Sequence, residues 1–203
     1  MSSPFDLARL LEPPTETARL SLEVARAWCS PALVNHCLRS WVWAKTLGDS
    51  LGMTVDDELL FVAAMLHDLG VTDPFDAHVM PFESSGGAAA WTFAAGAGWS
   101  TERRERVREV IERHMWVSVD VEDDPEGFLL EAATSLDVAH ADPGTWDPTL
   151  RRDVVALLPR LDFGPEFANA IGAQASRKPA STAARLYASG RIARGDAAWG
   201  DEN

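Results

Sequence analysis

Leu59-Leu60-Phe61-Val62-Ala63-Ala64-Met65-Leu66-His67-Asp68-Leu69-Gly70 is the stretch on which the fold turns. Its first eight residues are apolar in unbroken succession, so a helix built from them has no polar face and is buried on every side. The run falls well short of the roughly 20 apolar residues that a membrane span needs, and its Leu, Ala and Met favour helix over strand. Thr54 with Asp57 three residues on resembles a capping box at the start, and Gly70 reads as a C′ residue at the end. The helix therefore delivers an imidazole and a carboxylate, His67 and Asp68, into an apolar interior. Left unpaired there, they cost on the order of several kcal/mol. A bound cation satisfies both, because the imidazole gives a lone pair and the carboxylate neutralises charge. A hydrogen-bonded His-Asp pair that merely caps the helix is the competing reading.

On either side of this helix the chain keeps the same character. Alternating β-branched runs are nearly absent, while Ala, Leu, Arg and Glu recur at helical spacing, which makes the chain all-α. Upstream, a helix is expected over Thr15 to Cys29 after Pro13-Pro14. A second follows from Ser30-Pro31, an N-cap with proline at the first helical position, to about Gly48. Downstream, a loop covers Val71 to Pro81, and helices cover Ser85 to Gly96, Ser100 to about Met115 and Pro125 to His140. Two or three shorter ones lie between Thr149 and Tyr187. The small, polar stretch after Gly190 (residues 191–203) reads as a frayed tail. No repeat, linker or change of composition divides the 203 residues, so they form one domain with its core at about 15–190.

The formal net charge of −13 argues against a nucleic-acid partner. The nearest thing to a basic patch, Arg103, Arg104, Arg106 and Arg108, alternates with Glu102, Glu105 and Glu109, as a solvated helix face does. Two cysteines, Cys29 and Cys37, are too few for a disulfide framework. With no basic, apolar leader and no membrane-length run, the chain is expected in the cytoplasm with free thiols and no membrane partner. Eight tryptophans supply core material, and any left exposed on outer helices would suit a homodimer.

Two further residues stand out beside His67-Asp68. His36 lies in the amphipathic stretch NHCLRSWVWA, and Asp137 in the otherwise apolar FLLEAATSLDVA. Each has a plainer reading: His36 as a satisfied core histidine, Asp137 as the partner of an arginine. Taken in order, His36, His67-Asp68 and Asp137 resemble the H…HD…D signature of the HD superfamily of metal-dependent hydrolases. AAMLHDLG is similar to that family's AALLHDIG, and NHCLRSWVWA to its HSxRVxxxA. The resemblance implies a helical bundle around a buried metal site, with His36, His67, Asp68 and Asp137 as ligands. It covers Asn35 to Ala141. Within the superfamily, PFESSGGAAA (Glu83, Gly86, Gly87) followed by VREVIERHMW (His114) resembles the cyanamide hydratase-like branch, which carries FE-x-x-GG-x-A and then a helix ending in histidine. Cys37 stands where the family's first motif has serine, and His140 where a small residue is usual.

His114 shares the apolar stripe of Val107, Val110 and Ile111, which makes it either a core histidine or a pocket residue that shuttles a proton or donates a hydrogen bond to substrate. Glu83 is either a substrate-orienting acid or a first-turn helix acid. His78 reads as a loop residue at the surface. Two imidazoles and two carboxylates suit one divalent ion, zinc or iron first, with manganese, cobalt or nickel compatible. The first functional expectation is metal-assisted hydration of a small nitrile such as cyanamide, with His114 and Glu83 as catalytic residues. Phosphohydrolysis of a nucleotide or other phosphate ester, for which Arg39 is the one cation near the motifs, is the alternative. A diiron oxygenase using His78 and His114 is a third.

Overall fold

The computed structural model describes residues 6–202. Among them the chain forms eleven α-helices and no strand. These are α1 (Leu7–Leu10), α2 (Glu16–Trp28), α3 (Pro31–Ser50), α4 (Asp57–Leu66), α5 (Phe82–Gly96), α6 (Thr101–Arg113), α7 (Pro125–Ala139), α8 (Pro148–Leu157), α9 (Phe163–Arg177), α10 (Thr182–Ser189) and α11 (Arg191–Glu202). No helix among them is long and apolar enough to cross a membrane.

The apolar run is the heart of the bundle. Leu59 to Leu66 are all buried, with α2, α3, α5, α6 and α7 packed round them. Burial of each large side chain, Leu60, Phe61 or Leu66, stabilises the fold by about 1.5–3 kcal/mol. Caps set the phase of the helices. Thr15, Ser30 and Ser100 accept hydrogen bonds from the third backbone N–H that follows each of them. At α4 the cap is Asp56 rather than Thr54, its Oδ1 accepting from Leu59 N at 3.0 Å. Asp124 caps α7 and also receives Arg106 and Arg113 of α6.

Gly70 differs from expectation in an instructive way. The helix ends at Leu66 with His67 as its C-cap, and Gly70 lies in a 3-10 turn, Leu69–Val71. What requires glycine is proximity: a Cβ there would stand 2.0 Å from the Phe82 carbonyl oxygen. Gly86 has the same task from the other side, since its Cβ would lie 2.6 Å from the His67 carbonyl oxygen. Gly70 and Gly86 thus let α5 pack backbone to backbone on the turn that carries His67 and Asp68, while Gly87 brings α5 close to Arg108 of α6.

Two other expectations are corrected. The stretch after Gly190 is not frayed: Ile192, Gly195 and Trp199, spaced along one face, are buried against α7 and α9. The arginines of α6 are not a free solvated face either. Arg103 pairs with Asp56 and Glu58, and Arg106 with Asp124 and Glu126, which ties α6 to the starts of α4 and α7.

Candidate metal centre

The bundle has two apolar clusters. One surrounds α4; the other joins Leu33, Phe82, Val138, Phe163, Phe167 and Ile192. The site lies at their seam. The His36 ring stacks on Phe163, centroids 4.4 Å apart, and meets His67 edge-on at 5.1 Å. His36, His67 and Asp68 are buried, none of them more than 1% exposed.

Hydrogen bonds fix which ring nitrogen faces inward. His67 donates Nδ1–H to the Ala64 carbonyl oxygen at 2.9 Å, one turn back on its own helix. His36 donates Nδ1–H to Asp137 Oδ2 at 2.7 Å. Each Nε2 is then a lone pair, and the two lone pairs point at one another 3.1 Å apart. Asp68 Oδ2 completes a triangle, 3.4 Å from His36 Nε2 and 3.3 Å from His67 Nε2. Neither Asp68 oxygen has a hydrogen-bond partner among the described residues. Two facing lone pairs beside an orphaned carboxylate repel unless something positive stands between them. Donors bound to one cation about 2.1 Å away lie about 3.0–3.4 Å apart, which is the triangle seen here. The donor set fits a divalent ion.

Asp137 is not part of that triangle. Its carboxylate lies behind His36, on the Nδ1 side. Arg39 grips it in bidentate fashion, Nε to Oδ1 and Nη2 to Oδ2, both at 2.8 Å, and Trp43 donates Nε1–H to Oδ1 at 3.0 Å. The plainer reading, an arginine partner, describes this residue, which here orients His36 and sets its tautomer. Arg39 is correspondingly spent and offers nothing to a phosphate. Burial alone would raise the Asp137 carboxyl, but Arg39 and His36 outweigh it and hold it well below the usual carboxylate range. At Asp68, likewise, burial is overcome by His67 and His36. At His36, burial would lower the imidazole, but Asp137 and Asp68 together raise it.

His114 does reach the site. Its ring lies 4.9 Å from that of His67, and its Nε2 is 3.9 Å from Asp68 Oδ1. Its Nδ1–H donates to the Ile111 carbonyl oxygen, so Nε2 is an acceptor, not the donor to substrate that the sequence allowed. Burial, with His67 beside it, pushes its pKa down to about 3 and keeps it neutral. Glu83 is buried, but it accepts from Thr182 Oγ1 of α10 at 2.5 Å and does not line the cavity at the triad. His78 is exposed in the 71–81 loop, and His140 caps α7 with Nε2 3.1 Å from Glu202; neither lines that cavity.

The cavity over His36, His67 and Asp68 holds about 80 Å³. Its polar walls include three residues the sequence did not single out: Thr134, Ser135 and Arg191. Thr134 could have been found, because it is three residues before Asp137 on the same helix.

Comparison with known proteins agrees with this geometry. Residues 33–119 match the HD domain family model. Two cyanamide hydratases of Saccharomyces cerevisiae, DDI2 and DDI3, are each 29% identical over 187 residues, 88% of this chain and 81% of the relative. Over residues 33–119 the chain is thus similar to HD domains and over most of its length to the cyanamide hydratases, and it is a metal-dependent enzyme of the hydrolase and hydro-lyase kind.

Proposed function

We propose that this enzyme adds water across a small nitrile-type substrate, of which cyanamide, hydrated to urea, is the simplest. His36, His67 and Asp68 would hold one divalent ion, with zinc or iron first among the metals that such donors accept. The observation that carries the reading is the converging donor triangle at the floor of a cavity of about 80 Å³. Three heavy atoms fit such a space, whereas pockets for larger ligands run to about 300 Å³ or more. When bound, the ion acts as a Lewis acid and makes water nucleophilic near neutral pH.

The chain's own groups would do the rest. His114 Nε2, neutral and an acceptor, takes the hydrogen bond of the attacking water and guides the proton that this water sheds toward the nitrile nitrogen. Thr134 and Ser135 donate their hydroxyl protons to Glu131, on its carbonyl and carboxylate oxygens, and so present lone pairs to the cavity. Those lone pairs can receive the N–H groups that the nitrogen gains. Met115, Trp116, Val138 and Phe167 supply apolar walls that exclude bulk water. Metal-loaded protein incubated with cyanamide should release urea, and Asp68→Ala should not. Phosphate release from nucleotides without any urea would sink the reading.

A further inference from the structure

The cavity is bounded on one side by α11, and the residue that this helix brings to it is Arg191. Among the described residues, Arg191 is the single lysine or arginine in that wall. Its position is held by three anchors. Ile192 beside it is buried. Gly195 lies so close to α7 that a Cβ would stand 2.4 Å from the Val138 carbonyl oxygen, and Trp199 donates Nε1–H to the Asp137 carbonyl oxygen at 3.0 Å. The Arg191 guanidinium itself makes no hydrogen bond or ion pair among the described residues. Its charge is felt at Glu131, which accepts a hydrogen bond from Ser135. Arg191 itself is exposed, so water solvates its charge, and what singles it out is its place in the wall of the cavity above His36, His67 and Asp68, where an anion entering from solvent would meet it.

Arg191 also stands at a junction. The small cavity opens into a groove of about 680 Å³, and the two share Met115, Trp116, Ser135, Leu186 and Arg191. The shared walls are mostly apolar, with one positive charge. We propose that Arg191 is a specificity residue, and that the substrate is a nitrile bearing a carboxylate, with its C≡N end at the triad and its carboxylate on the Arg191 guanidinium. This rests on the nitrile-hydration reading above and narrows its substrate class. Met115, Trp116 and Leu186 suit a short methylene spacer, and a single guanidinium matches a single carboxylate in bidentate fashion. In the reaction, the water oxygen bonds to the nitrile carbon and both water protons end on nitrogen after tautomerisation. The product is the primary amide, and the carboxylate is unchanged.

The test is calorimetric binding of 3-cyanopropanoate and of neutral propionitrile to metal-loaded protein, with amide formation followed in parallel. Wild type should bind the acid about tenfold or more tightly than the neutral nitrile, as a charge-assisted pair allows. R191Q should erase the difference, mainly through KM in turnover, and R191K should retain part of it. R194Q, on the same helix but lining neither space, should behave as wild type. Equal binding of the acid by wild type and R191Q overturns the proposal, as does tighter binding of phosphate monoesters than of the acid. Binding that depends on Arg191 without turnover of any nitrile would overturn the hydration reading, and the nitrile with it, and leave Arg191 as a carboxylate-binding residue. Urea from cyanamide with no preference for the acid would overturn this inference alone.

Discussion

Asp137→Asn is the substitution whose cost follows most directly from the structure. Four donors converge on this carboxylate: Arg39 Nε and Nη2, Trp43 Nε1 and His36 Nδ1. A second guanidinium, Arg160, donates to the Asp137 backbone carbonyl at 2.9 Å and lies 3.5 Å from Oδ2. Asparagine keeps the shape and one acceptor but turns an NH₂ toward two of the donors and leaves the buried Arg39 guanidinium without its counter-charge, while Arg160 keeps Asp196. Breaking a buried pair from one side costs about 3–5 kcal/mol, most of it the stranded charge. With a urea slope near 2–3 kcal/mol/M for a chain of this size, the unfolding midpoint should fall by about 1–2 M. The assay is urea denaturation followed by tryptophan fluorescence, with chelator added to both proteins so that metal affinity plays no part. Arg39→Gln and the double variant complete a thermodynamic cycle, in which a coupling of at least about 1.5 kcal/mol is expected. A midpoint shift below about 0.3 M would refute the view that Asp137 is held by charge pairing.

Three further outcomes are expected. Mass spectrometry of native protein should find one divalent ion per chain in wild type and none in Asp68→Ala, whereas Glu83→Gln should keep both the ion and turnover within about threefold, because Glu83 faces Thr182 and not the cavity. Gly70→Ala, whose new methyl meets backbone that cannot step aside, should lower stability by about 3 kcal/mol or more, and thermal melting should fall by about 6–12 °C. Asp124 is held below the usual carboxylate range: burial raises it, but Arg106 and Arg113 outweigh burial, so its stabilisation is present above its unfolded pKa of about 3.9 and fades as pH falls through the lower folded value. Asp124→Asn should therefore cost about 1–2 kcal/mol at pH 7, and the gap to wild type should close below pH about 4; a gap that is constant with pH would show that the carboxylate's charge is irrelevant.

The helices were legible where local chemistry decides them. Thr15, Ser30 and Ser100 cap where their sequences say, and eight apolar residues in a row can only be core. His67 and Asp68 were legible because they break an apolar pattern, whereas His36, in an amphipathic stretch, stood out only through its place in the H…HD…D order. Asp137 breaks one too, yet nothing local tells whether its partner is a cation in the cavity or Arg39 on another helix, because the two differ only in which side of the His36 ring the carboxylate meets. Arg191 was missed for a related reason. Composition makes residues 191–202 resemble a tail, while the stripe of Ile192, Gly195 and Trp199 is three residues wide and gains its meaning only from the α7 surface it covers.

The anchoring of α11 also sets an order of assembly. A chain emerging N-terminus first has His36, His67 and Asp68 in hand once α4 and its following turn have formed, and the contacts among them span only about 30 residues. Asp137 comes later, and Trp199, which holds the Asp137 carbonyl, later still. The three donors can thus meet before the chamber above them has its last wall. Loading of the ion and closure of the substrate space are separable events in time, and contacts between distant parts of the chain, the slow ones to form, belong to the second.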